Sequence, residues 1–437
     1  MRKSYEQLRD EISMDYLIDQ IRQKLLEFKD PRTRSVNYSF HDLVMSAYAM
    51  FHFKYPSMNQ FENQTASERA NLTNLFKIEN LCSDSHLRNI LDQIDPSNLN
   101  QLYPQNLHLL KKVGVLREYS ALDKYLICSV DGVQYFSSNE IHCENCLCKQ
   151  HKNGQTTYHH SMLCAALVHP GQREVFLMGA SPIKKQDGQL KNDCELNAAK
   201  RLLDYMEANY SAYKLLVVED ALYSNGPHLR RILANKWQFV VNIKPKGNKT
   251  LFKAFEQRKR RNSIKYKEIT DVNGTIHRFW FDNNFPLNET CSDVRVNVLM
   301  YEEQKKNGAI KKFSWATSIK LTRANVEKIM RIGRARWKIE NETFNTLKNQ
   351  GYEFDHNFGH GFNHLSTFLA YLMLLAFQTD QVFQRCNHLF NKIWEKAKTK
   401  AKLWTIAKSI FSTKVIYSFK ELYLHLAYEF EVTLEPT

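Results

Sequence analysis

No apolar run in this 437-residue chain is long enough to cross a bilayer. The longest, residues 365–377, is interrupted by Ser366, Thr367 and Tyr371. A membrane partner is therefore not expected. The opening stretch MRKSYEQLRDEIS is charged and lacks the apolar centre of a secretory signal. The nine cysteines are odd in number and lack disulfide-framework spacing, which fits a reducing, cytoplasmic compartment. Acidic side chains are outnumbered, 46 against 61 Lys and Arg, giving a net charge of +15. Polyanions are the natural partners of such a surface, nucleic acid ahead of membrane. At 43% hydrophobic and 24% charged, the composition is that of a globular protein with ample core and room for two or three domains.

Residues 1–120 read as an all-helical domain for DNA binding or dimerisation. LRDEISMDYLIDQIRQKLLEF and FHDLVMSAYAMFHF are amphipathic runs, DPRTRS and KYPS punctuate them, and Ser83 or Ser85 caps the helix of SDSHLRNILDQI. From Lys124 the pattern changes. KYLICSV is a short apolar run ending on Asp131-Gly132. TTYHHSMLCAALVHP and REVFLMGAS read as strands joined by the turn in HPGQ. DCELNAAKRLLDYMEAN reads as a helix capped by Asn192, with Glu195 completing a variant capping box. KLLVVE is a near-continuous apolar strand ending on Asp220; GPHLRRILANK is a helix and WQFVVNIK a further strand. A hairpin-rich start followed by crossovers implies a mixed α/β sheet with flanking helices.

Residues 321–350 carry apolar residues at helical spacing, with Thr322 as N-cap and Gly351 closing the run. Trp337, Glu340, Phe344 and Leu347 are spaced to share one face, which sets a carboxylate in an apolar stripe. An ion pair with Arg336 one turn back would satisfy it, as would a metal. Glu342 is the rival carboxylate on the opposite side. Ligands of open α/β sheets bind beyond the strand ends, where Asp131 and Asp220 fall and could meet Glu340. Asp-Gly is also an ordinary turn pair. Three carboxylates at one site need neutralising, which hard divalent cations do.

CSVDGVQYF, VVEDALYS and RARWKIENETFNTLK resemble the three signature blocks of DDE transposases of the bacterial insertion-sequence type, over roughly residues 35–380. The resemblance implies an RNase H-like core at residues 121–380, with Asp131, Asp220 and Glu340 as the metal-binding catalytic triad. It implies two Mg²⁺ ions, replaceable by Mn²⁺, that drive nicking and strand transfer. It also implies double-stranded partners, the terminal inverted repeats and target DNA, held by a homodimer or higher multimer associated with the bacterial nucleoid. About 90 residues separate the first two acids and about 120 the last two, and a basic β-rich insertion at about 245–312 fills the longer gap. Residues 381–437 read as a helical tail. Around the glutamate the family pattern is tyrosine, arginine, glutamate, lysine at −7, −4, 0 and +7. Arg336 matches, whereas Gly333 and Leu347 take the outer positions. Lys348 is one residue late, rotated about 80° from Glu340 on a uniform α-helix. Other readings are a metal-dependent nuclease on the same core and a non-catalytic DNA-binding protein derived from a transposase.

HCENCLCKQH packs zinc's preferred ligand types into ten residues, with Cys143, Cys146, Cys148 and His151 as candidate structural-zinc ligands and His159 and His160 nearby. The alternative is a reduced, thiol-bearing loop. Between Lys244 and Lys267 the basic run includes Lys244, Lys246, Arg258, Lys259, Arg260 and Arg261, interleaved with Phe252 and Phe255. It reads as a phosphate-backbone contact or a solvated face. His356, His360 and His364 recur every four residues, but Gly359 and Gly361 break any helix there, so the segment reads as a structured turn.

Overall fold

The computed structural model describes residues 3–30, 32, 36, 38–188 and 191–433. Most of the DPRTRS punctuation lies outside them. The chain begins with helices α1 (Tyr5–Asp10), α2 (Met14–Leu25), α3 (Phe40–His52), α4 (Met58–Glu62), α5 (Ala66–Phe76), α6 (Asp84–Leu91), α7 (Tyr103–Lys112) and α8 (Val115–Glu118). Ser4, Ser13, Ser39, Ser57, Thr65 and Ser83 each accept the backbone N–H three residues on, satisfying donors that a helix start leaves open. Ser83 is thus the cap of α6.

The sheet follows. β1 (Ser120–Ala121) pairs with the start of β2 (Tyr125–Ser138). β3 (Leu147–Gln150), β4 (Thr156–Val168) and β5 (Phe176–Ile183) complete an antiparallel set. The long helix α9 (Lys191–Tyr210) leads to β6 (Leu215–Glu219), and α10 (Gly226–Ala234) leads to β7 (Gln238–Asn242). The side chain of Asn192, expected as a cap, lies outside the described residues. β6 pairs parallel to β2, and β7 parallel to β6. The order β5-β4-β2-β6-β7, with the last two strands parallel to β2, is the RNase H-like arrangement. LLVVE is wholly buried, as a central parallel strand covered on both faces requires.

The insertion opens with a helix, α11 (Lys249–Arg260), rather than a strand. It continues as β8 (Lys265–Thr270), β9 (Ile276–Pro286), β10 (Arg295–Gln304) and β11 (Ile310–Thr317). β11 pairs antiparallel with β7, so the β-rich insertion extends the same sheet, which reaches 11 strands among the described residues. Helix α12 (Val326–Ala335), a π-helical segment (Ile339–Phe344) and α13 (Asn345–Asn349) then cross the sheet. α12 begins at Val326 with Asn325 in the cap position, and Thr322 and Asn325 exchange capping-box bonds in the turn just ahead of it, so the helix starts three residues later than expected from Thr322.

After a non-helical passage at 350–364, α14 (Leu365–Cys386), α15 (His388–Ala397), α16 (Lys400–Thr413) and α17 (Phe419–Glu429) close the chain. These helices share a core with the N-terminal ones. Asn71 donates to the carbonyls of Phe411 and Lys414, and Asp15 accepts from the backbone of Phe419 and Lys420. No helix among the described residues is long and apolar enough to cross a membrane.

α12 lies unusually close to the sheet. A Cβ placed on Gly333 would fall 2.5 Å from Nε1 of Trp315 in β11. Trp315 is fully buried and cannot retreat without opening the core. This contact gives a physical reason for glycine at position 333. Gly333→Ala is expected to destabilise the fold by about 1–3 kcal/mol through overpacking, read as a lower thermal midpoint at fixed scan rate. An unchanged midpoint would show that α12 can lift freely.

Candidate active site

β2 does not stop at Asp131 but runs on to Ser138. What ends there is its pairing with β6, whose last matched residues are Ser129 and Val218. Two residues further along each strand come Asp131 and Asp220. Adjacent strands lie about 4.8 Å apart, so the two acids stand level at the edge where β6 finishes, pointing to one side. Asp220 also accepts the N–H of Leu222 at 2.8 Å, which shapes the turn after β6. Burial pushes the Asp131 carboxyl above its ordinary range; Arg336 and the Gly132 N–H oppose this, and the Asp220 charge adds to it.

The crossing helix covers this pair. Ser129, on the same face of β2 as Asp131, donates to the carbonyl of Arg336 at 3.1 Å. The Arg336 guanidinium bonds Asp131. The local pairing of Arg336 with Glu340 gives way to this longer-range partner. Glu340 itself is solvent-exposed in the first turn of the π segment, and Glu342 is half-buried. The expected stripe of Trp337, Glu340, Phe344 and Leu347 is broken. Trp337 is 40% exposed, while Ile339, Thr343, Phe344 and Leu347 are buried.

The π segment has a consequence for Lys348. An i→i+5 turn takes in one more residue than an α turn, removing about 100° of accumulated rotation. The eight residues from Glu340 to Lys348 then bring the lysine back nearly over the glutamate, instead of about 80° away. Lys348 also pairs with Asp355 at 2.9 Å.

Glu195 is a residue that sequence reasoning placed elsewhere. Its carboxylate lies 3.9 Å from where a Gly132 Cβ would stand and accepts from the Tyr223 hydroxyl at 2.9 Å. It therefore bridges the surroundings of Asp131 and Asp220. Its distance in sequence from both blocks hid this.

The basic run divides. Leu251 and Phe255 bury one face of α11, so Phe255 is core and does not interleave with a ligand. Arg258 turns inward, bonding Asp282 at 2.6 Å and the Asn283 carbonyl at 2.9 Å, over the Phe285 ring. Lys259 lies over the Trp280 ring. Lys244, Lys246, Arg260 and Arg261 are exposed.

The Cys/His segment brings together a different set from the one expected. Cys143 and Cys146 meet His160 of β4 and His360 of the passage before α14. Cys148 is exposed with its thiol turned to the Cys146 carbonyl, because β3 pairs it opposite Tyr158 at the sheet rim. His151 bonds the Thr157 hydroxyl at 2.8 Å in the hairpin that follows. Neither joins the cluster.

Hard oxygen donors side by side suit a divalent cation such as Mg²⁺, and Asp131 and Asp220 fit that donor type. The strand order and the acids at its edge define the chain as an RNase H-like protein. The family model described as "Transposase DDE domain" matches residues 143–377, more than half of the chain, and the protein belongs to that family. The family's chemistry is nuclease and transposition chemistry that depends on divalent metal. No curated relative matches the chain. Among solved structures it is similar to the piggyBac transposase in a synaptic complex with hairpin DNA, at 10% identity and a TM-score of 0.42, covering 98% of this chain and 80% of that one.

Proposed function

We propose that this protein cleaves DNA at the ends of an insertion sequence and joins the freed 3′ ends to target DNA. Asp131, Asp220 and Glu340 are its metal-binding triad. The observation that carries this reading is the level placement of Asp131 and Asp220 beneath the helix bearing Arg336. Glu340 is assigned over Glu342 because it follows Arg336 by one helical turn and because the π segment returns Lys348 to its side. Two Mg²⁺ ions, with Mn²⁺ able to substitute, would be held by the three carboxylates and would supply charge neutralisation at the reacting phosphate. Arg336 fixes the Asp131 carboxylate, and Lys348 holds a terminal phosphate beside Glu340. Tyr223 and Glu195 brace the two strand ends.

The DNA is double-stranded, comprising terminal inverted repeats and target, and the protein acts on it as a homodimer or higher multimer at the bacterial nucleoid. The helical region of residues 1–120 contributes end binding or dimerisation, 121–380 the chemistry, and 381–437 support for the N-terminal helices. The test is an assay with purified protein, DNA cloned from both flanks of its own gene, and Mg²⁺. Discrete end cleavage with joining to target supports the reading. Cleavage without joining points to a nuclease, and salt-sensitive binding without cleavage to a repurposed DNA-binding protein.

Lys246, Arg260 and Arg261 are proposed to touch phosphates. Replacing all three with Gln should lower the dependence of log affinity on log salt by about 2–3, since each phosphate contact contributes about 0.9. Arg258→Gln should leave that slope alone and lower the thermal midpoint, because its partners lie within the protein. An unchanged slope in the triple variant would remove the run from the interface.

A further inference from the structure

We infer that Cys143, Cys146, His160 and His360 form a structural zinc site that pins the passage after the proposed catalytic helix to the sheet. The four ligand atoms lie within 4.8 Å of one another. Five of the six separations are 3.9 Å between the sulfurs, 3.4–3.6 Å from sulfur to nitrogen, and 3.1 Å between the imidazole Nε2 atoms, and the remaining pair, Cys143 with His360, lies within 4.8 Å. A tetrahedral zinc with ordinary bond lengths has edges of about 3.8, 3.5 and 3.3 Å for the same pairs. Five of the six separations are thus already close to the edges of that tetrahedron.

The surroundings agree. Cys146, His160 and His360 are buried, and Cys143 is half-buried. The His360 Nδ1–H donates to the Gly361 carbonyl at 2.7 Å, which leaves the Nε2 lone pair facing the cluster, as a metal-bound histidine requires. Cys143 and Cys146 close a tight turn in which the Cys146 N–H bonds the Cys143 carbonyl at 3.2 Å and the Cys143 N–H points to the Cys146 sulfur at 3.5 Å. Tyr135 stacks on His160, and Phe136 lies against His360, so both imidazoles are held from behind by β2. Without a metal, one Nε2–H of His160 can serve the His360 lone pair, but the two sulfurs are left with weak thiol contacts only. A cation shared by all four resolves the arrangement.

Such a site joins three separate stretches: the turn after β2, the middle of β4, and the glycine-broken passage that follows α13. At its far end that passage is tied by Asp92, which accepts the backbone N–H groups of Phe362, Asn363, His364 and Leu365. The zinc would add a second anchor at His360, just ahead of the Asp92 tie, and so help fix the end of the helix carrying Glu340 and Lys348 relative to the strand carrying Asp131.

The test is elemental analysis of full-length protein made in zinc-supplemented medium and purified without chelator. One zinc per chain is expected, falling to below about 0.2 in Cys143→Ser and in His360→Ala. Cys148→Ser should keep it, and so should Asp131→Asn combined with Asp220→Asn, which separates this site from the carboxylates. Wild-type protein reconstituted with Co²⁺ should show thiolate charge-transfer and tetrahedral ligand-field bands, a readout that does not depend on any variant folding. Removing the metal should lower the thermal midpoint and hasten proteolysis within residues 350–364. Zinc-free wild-type protein, a Cys143–Cys146 disulfide, or cobalt bound without thiolate bands would overturn the site. Unchanged stability and proteolysis after metal removal would overturn its anchoring role.

Discussion

Asp220→Asn is expected to abolish both cleavage and strand transfer while leaving DNA affinity within about twofold of wild type. The substitution preserves shape and can keep the bond to the Leu222 N–H through its amide oxygen, so the turn after β6 should persist. It removes one of two charges that stand level at the sheet edge. An amide is a far weaker ligand for a hard divalent cation than a carboxylate, and metal-supplied stabilisation is worth several kcal/mol at the transition state. At about 1.4 kcal/mol per tenfold, a loss of three orders of magnitude or more follows. Asp131→Asn should do the same, with one difference. It also deprives the buried Arg336 of its charged partner, so it should lower stability as well. Undiminished nicking by Asp220→Asn would break the triad assignment, and equal loss of DNA binding would mean that the acid acts on the fold instead.

The two aspartates were legible in the sequence because each follows a compact apolar run, and runs of that kind become neighbouring buried strands. Reading Asp131 as a strand terminus was a local error with little cost, since its level is fixed by where β6 ends. The helix was less legible for a definite reason. A pattern reading assumes one period throughout, and Ile339–Phe344 winds with a longer one. That change shifts every face drawn from Glu340 onward, including the 80° offset counted for Lys348, while Trp337, ahead of the segment, departs from the stripe separately. Gly333 is similar: the physical reason for glycine there is Trp315, a residue of the insertion that no helix-local argument could bring near. Glu195 and His360 share a further limit. Each has an adequate local role, as a cap or in a turn, and each finds its partner only through the fold, His160 and His360 being 200 positions apart. The same holds for Arg336, whose nearest carboxylate in sequence is not the one it bonds.

Asp380→Leu is expected to lower stability by about 3–5 kcal/mol, the cost of stranding a buried charge. Lys54 and Asp380 pair where exposure is only 5% and 6%. The Lys54 ammonium also donates to the His52 carbonyl at 2.8 Å and lies about 4 Å from the rings of Tyr352 and Trp404. The Tyr352 hydroxyl bonds Asp380 in turn. Four stretches meet at this point: the end of α3, the passage after α13, α14 and α16. Lys54→Met should be costly too, since it leaves Asp380 with only the Tyr352 hydroxyl and, at 3.6 Å, the His52 ring beside it. The double variant Lys54→Met, Asp380→Leu should recover most of the loss, because neither charge is then stranded. The pH dependence provides a second reading. Burial holds the Lys54 pKa below lysine's ordinary value in the folded state, so the unfolded chain keeps that proton to higher pH. Stability from this group therefore rises with pH across that interval. In Asp380→Leu the lysine loses the charge that opposed burial, so the penalty should shrink as pH climbs toward lysine's ordinary range. A pH-independent penalty, or single variants that cost less than about 1 kcal/mol, would show that the pair is hydrated and not the tie between the two ends of the chain. Because Tyr352 sits just beyond α13, loosening this pair should also blunt strand transfer before the protein unfolds, linking the helical layer to the position of Glu340.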